Sequence, residues 1–105
     1  MRILFDQGTP VPLRRFLPTH NVDTCAERGW SRLQNGDLLR EAENSGYQVF
    51  ITTDQNLRYQ QSVTGRRIAI LVLLSTSWPR IQVRTSEISA AVDAASPGDY
   101  LEIPV

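Results

Sequence analysis

Apolar positions along this chain fall into two kinds of run. Val49–Ile51 and Ile68–Leu74 are unbroken, rich in β-branched residues and followed by polar ones. Continuous runs of this length predict strands buried on both faces, as in the middle of a parallel sheet. Met1–Phe5 predicts an opening strand, and His20–Thr24 a weaker second one. Between the strands, apolar residues recur at helical spacing. Val11, Leu13, Phe16 and Leu17 predict a helix entered at Thr9-Pro10, with Thr9 as its cap and Pro18 ending it. Leu38, Leu39 and Ala42 predict a helix over Gly36–Ser45, capped by Asn35 and closed by Gly46. Asp54–Val63 predicts a short helix that Gly65 closes. Ile81, Ile88, Ala91, Val92 and Ala95 predict one more, entered from Ser75–Ser77. Cys25–Gln34 has no clean period and reads as a loop, and Tyr100–Ile103 as an edge strand.

Strands alternating with helices argue a mainly parallel sheet of four to five strands with helices on both faces. The chain carries no linker, internal repeat or low-complexity tract, so residues 1–105 form a single α/β domain of three layers. A strand order of 2-1-3-4, with the last strand at an edge, sets the first and third strands side by side. Ligands in such sheets bind at the carboxyl ends of the strands, where the order reverses. Those two ends carry Asp6 and Asp54.

A third acid, Asp37, lies in the first turn of the helix feeding the third strand, and Glu41 follows it one turn later. Two carboxylates about 4 Å apart repel by about 4 kcal/mol at an effective dielectric of about 20. They cluster when a cation bridges them or a proton is shared. With oxygen ligands alone the natural cation is Mg²⁺ or Mn²⁺, which can orient a phosphodiester and acidify a bound water. Each acid also has an ordinary role. Asp54 can cap a helix, Asp37 can complement a helix dipole, and Asp6 before Gly8 suits a turn.

Composition narrows the field little. The net charge is zero, so bulk attraction to nucleic acid is not implied, although a local basic patch is allowed. All 11 cations are arginine. Arg14, Arg15, Arg58, Arg66 and Arg67 fall near or after the acidic edge, where they could hold phosphates or simply form solvated faces. One cysteine, Cys25, excludes an internal disulfide and suits a reducing cytoplasm. With His20 it is too small a set for a zinc site. Trp30 could stack on a base or pack beneath the loop. No glycine-rich phosphate loop is present. No apolar run is long enough to span a membrane, and a carboxylate at position 6 argues against a signal peptide.

MRILFDQGTPVPLRRFL, NGDLLREAENSGYQVFITTDQNL and IAILVLL, in that order, resemble the compact PIN-like family related to VapC-type toxin ribonucleases. That family opens with a strand ending in Asp-Glu-Asn. It continues with an aspartate at a helix head, then a strand ending in T-x-D-x-D-F. The likeness covers about the first 75 residues. It aligns Asp6, Asp37 and Asp54 with the family's acids and Ala42 with its small packing position. It implies a PIN-like, Rossmann-like fold. It also implies an Mg²⁺ or Mn²⁺ site and cleavage of single-stranded RNA, often tRNA, by a toxin that dimerises and is neutralised by a cognate antitoxin. The chain departs from the pattern at Gln7, where the family has Glu, at Asn56, where it has a second Asp, and at Leu57, where it has Phe. Asn56 and Glu41 remain possible ligands, but neutral amides lower metal affinity. Two further readings compete. One is a non-catalytic PIN-like module binding RNA or protein. The other is a receiver-like phosphoacceptor domain centred on Asp54, whose characteristic lysine is missing.

Overall fold

The structure is a computed structural model that describes residues 1–60 and 65–105. Five strands, β1 (Arg2–Phe5), β2 (Asn21–Thr24), β3 (Val49–Thr52), β4 (Ala69–Leu73) and β5 (Tyr100–Ile103), form one sheet in the order β2-β1-β3-β4-β5. Every pairing is parallel. The order and the edge position of the last strand are those the sequence predicts. β3 and β4 are buried at every position, as continuous apolar runs require.

The period of two along the strands sorts the core onto two faces. Ile3, Phe5, Val49, Ile51, Ala69 and Leu71 look one way. They pack against Leu13 and Leu17 around a 3-10 helix (Val11–Phe16), and against Ile81, Ile88 and Val92 of α3 (Trp78–Gln82) and α4 (Thr85–Ala94). Leu4, Phe50, Ile70 and Val72 look the other way, onto Leu38, Leu39 and Ala42 of α1 (Asn35–Asn44) and Leu57 of α2 (Leu57–Gln60). Each fully buried side chain of this size is worth about 1.5–3 kcal/mol. The three layers are therefore held by apolar burial on both sides of the sheet.

Local chemistry moves several element boundaries from their expected places. The predicted helix after β1 is a 3-10 turn, a six-residue segment bounded by Pro10 and Pro18 and closed by i→i+3 bonds, as at Leu13 N to Pro10 O and Leu17 N to Arg14 O (both 3.1 Å). Thr9 does not cap it. Asn35 opens α1 from inside, with Gln34 at the cap. α1 ends as expected at Gly46, whose φ of 84° suits glycine. The Tyr47 amide donates to Ala42 O (3.0 Å) and the Gly46 amide to Glu43 O (3.1 Å), a Schellman closure. The Arg2 guanidinium adds a hydrogen bond to the Ser45 carbonyl and lies 4.4 Å from the Tyr47 ring centre, so the start of β1 caps the end of α1. The short helix after β3 starts at Leu57 rather than Asp54, and its expected extension through 61–63 lies outside the described residues. The single helix expected near the C-terminus is two, broken at Val83–Arg84. There the Thr85 hydroxyl turns back to the Gln82 carbonyl (3.4 Å), offering the backbone a local alternative.

Candidate active site at the carboxyl edge of the sheet

β1 and β3 lie side by side, with Phe5 paired to Ile51. Asp6, one residue on, donates its amide to Ile51 O (3.1 Å) and so projects from the carboxyl edge beside Thr52. Thr52 is fully buried and is the hub. Its hydroxyl donates to Asp6 Oδ2 and accepts the Asp54 amide (3.0 Å). Asp6 Oδ1 accepts the Gly8 amide (3.0 Å) and lies 3.1 Å from the Thr9 hydroxyl, which also lies 2.9 Å from Ile51 O. The single Thr9 proton serves one acceptor at a time or is shared between them. A Cβ at Gly8 would stand 2.3 Å from Thr53 Oγ1, so any larger residue there requires the Thr53 hydroxyl to move.

Asp54 is held from both sides. Its Oδ1 accepts the Asn56 amide (2.9 Å), and its Oδ2 accepts the Asn35 side-chain amide (2.9 Å). Burial pushes the Asp6 carboxyl above its ordinary value. Hydrogen bonds from Thr52, Thr9 and Gly8 oppose that, and the like charge of Asp54 adds to it. Asp6 and Asp54 thus feel each other, as the strand order requires.

Asp37 and Glu41 are not drawn in. Leu38, Leu39 and Ala42 form the buried stripe of α1, and Asn35 lies on it at i, i+3, i+4, i+7 spacing. Asp37 and Glu41 share a different, exposed face. The Asp37 side chain is 59% exposed and pairs with Arg40 (3.1 Å), one turn along its own helix. Among the described residues, no group of three or more His, Cys, Asp and Glu side chains is gathered closely enough to hold a metal ion. Asp6 and Asp54 together offer two carboxylates and hard oxygen neighbours. That donor set fits an Mg²⁺ or Mn²⁺ ion with water completing its shell.

The remaining candidates are placed as follows. Asn56 is exposed, and its backbone amide meets Asp54. Arg14 is locked to Glu27 by two contacts (2.7 and 3.2 Å). Arg58 meets the Tyr59 hydroxyl (2.6 Å) and Glu102 (3.5 Å), while Arg15 is simply exposed. Gln7 donates to the Ser31 carbonyl (3.2 Å) and so ties the edge to the 25–34 loop. That loop begins with a reciprocal pair, Thr24 amide to Glu27 (2.9 Å) and Glu27 amide to Thr24 (3.1 Å). Trp30 packs half-buried under it, edge-on to Tyr47 and beneath the Arg28 guanidinium. A cleft of about 110 Å³ opens at the edge, lined by Asp6, Gln7, Cys25, Trp30, Ser31, Leu33, Asn35 and Leu38. Burial and the neighbouring Asp6 push the Cys25 thiol to about 11, which makes it a poor nucleophile. His20 lies away from Cys25, bonding the Met1 amine (3.0 Å) and Asp93 (2.8 Å).

Thr52, Thr9 and Asn35 are the site residues that sequence reasoning passes over. For Asn35 the signal is present, as the first position of the Leu38-Leu39-Ala42 stripe. No residue pattern announces the Thr52 bridge, which forms across strands. The chain matches no protein-family model, no curated protein and no solved structure.

Proposed function

We propose that this chain is a divalent-metal-dependent endoribonuclease of PIN-like type, the toxin of a toxin–antitoxin pair, with Asp6 and Asp54 at its centre. The observation that carries this reading is the pairing of β1 with β3, which brings both aspartates to one carboxyl edge and ties them through Thr52. Asp6 and Asp54 would hold Mg²⁺ or Mn²⁺. When bound, the ion supplies charge that orients the phosphodiester and acidifies water. Thr52 keeps the Asp6 carboxylate aimed at the edge, and Asn35 does the same for Asp54. The cleft beside them receives the strand of single-stranded RNA or tRNA. A cognate antitoxin, a homodimeric state and a cytoplasmic setting complete the proposal. Among the described residues, no helix is long and apolar enough to cross a membrane.

The test is cleavage of unstructured RNA with Mn²⁺ or Mg²⁺ by wild type, Asp6→Asn and Asp54→Asn. Loss of about a hundredfold or more in each variant is expected, the scale on which removal of a group stabilising transition-state charge is felt. Equal activity in all three proteins would sink the assignment.

One observation favours a second reading, a non-catalytic PIN-like RNA- or protein-binding module. All four carboxylate oxygens of Asp6 and Asp54 have a donor from the protein. Gln7 and Asn56 add no charge. RNA or partner binding with no heat of Mg²⁺ or Mn²⁺ binding in calorimetry would decide for it.

A further inference from the structure

We infer that Asn35, not Asp37, is the residue at the head of α1 that completes the acidic site and limits its hold on a divalent cation. This rests on the metal-dependent reading above. Three observations lead to it. Asn35 shares the inward stripe of α1 with Leu38, Leu39 and Ala42, whereas Asp37 is on the exposed face and bound to Arg40. The Asn35 amide is 2.9 Å from Asp54 Oδ2, and Asn35 and Asp6 line the same cleft. Asn35 is also neutral, so the edge holds two negative charges rather than three.

An asparagine here does two things. As a donor it neutralises part of the Asp54 charge, which lets two acids lie close together without an ion. To ligate a cation itself, the amide would turn its NH₂ away from Asp54 Oδ2 and present its Oδ1, a weaker ligand than a carboxylate. Replacing it by aspartate supplies a third carboxylate from the same backbone position.

The experiment is Mn²⁺ binding by calorimetry, with thermal unfolding in chelator and in Mn²⁺, on full-length wild type, Asn35→Asp, Asp37→Asn and Asp6→Asn. Asn35→Asp is expected to bind Mn²⁺ about tenfold or more tightly than wild type, because affinity follows ligand charge count. It should also unfold at a lower temperature in chelator and recover in Mn²⁺. Asp37→Asn should stay within about twofold of wild type, since its carboxylate lies outside the ion's shell. Asp6→Asn should lose binding. In ¹⁵N-labelled wild type, where folding is not in question, Mg²⁺ should shift the Asn35 side-chain amide resonances. If Asp37→Asn loses binding while Asn35→Asp matches wild type and the Asn35 amide stays still, the inference fails and the metal site stands. If neither wild type nor Asn35→Asp binds Mn²⁺, both fall.

Discussion

Asp6 is held by three donors and still lies in a place that disfavours its charge. Burial raises its carboxyl above the ordinary 3.8, and Asp54 adds to the shift. Folding therefore favours the protonated form. The stability contributed by this group is fully present below 3.8 and is lost as pH rises through the folded-state value. Asp6→Asn does not titrate. The stability of wild type minus that of Asp6→Asn should accordingly fall as pH rises from 3.8 towards neutrality. Urea unfolding of both proteins across that range measures it, and a difference that stays flat or grows would contradict the shift. Thr52 poses a sharper problem at the same scale. Thr52→Val keeps the volume but removes the donor to Asp6 and the acceptor for the Asp54 amide. Leaving such groups unsatisfied costs about 1–3 kcal/mol. A midpoint shift in thermal unfolding equivalent to less than about 0.5 kcal/mol would mean that the bridge contributes little. Neither effect is visible in the residue string, since Asp6 and Thr52 are 46 positions apart.

At the scale of elements, sequence and structure agree where the chemistry is local and periodic. α1 is the clearest case. Its stripe, its glycine stop and its following strand are all legible from spacing and φ preference. Gly46→Ala would force a φ of 84° on a residue with a Cβ, and that Cβ would stand 3.2 Å from the Arg2 guanidinium. A left-handed alanine costs about 1–2 kcal/mol. Denaturant unfolding should show at least that loss, whereas a neutral result would mean that the Schellman closure relaxes freely. Legibility fails at the ends of elements. The expected helix after β1 is a 3-10 turn, and the one expected near the C-terminus is divided into α3 and α4. The expectation that Asp37 joins the site comes from its position in a first turn, which says where along the helix it lies but not around it. The phase of the stripe answers the second question and selects Asn35.

For the molecule as a whole, the sheet separates two cores, and Cys25 belongs to the one beneath α1. Its thiol is buried and pushed to about 11, so at neutral pH it is neither accessible nor ionised. Reaction with a thiol reagent in native buffer should therefore be slow and should accelerate in step with global unfolding as denaturant is added. Fast labelling of the native chain would show that the 25–34 loop opens independently. Taken alone, the sequence determined the α/β class, the sheet order and the presence of Asp6 and Asp54 at neighbouring strand ends. The class follows from apolar runs and the alternation of elements, and the order from the doubly wound arrangement that such a chain adopts. Only the tertiary structure decided which side chains meet at that edge. Thr52 reaches Asp6 because two strands distant in sequence are hydrogen-bonded neighbours. Asn35 reaches Asp54 because packing of Leu38, Leu39 and Ala42 sets the rotation of α1 against the sheet. The stripe sets which way Asn35 faces, but the partners that Asn35 and Thr52 meet depend on strand pairing and on how α1 sits against the sheet, which join stretches far apart in the chain.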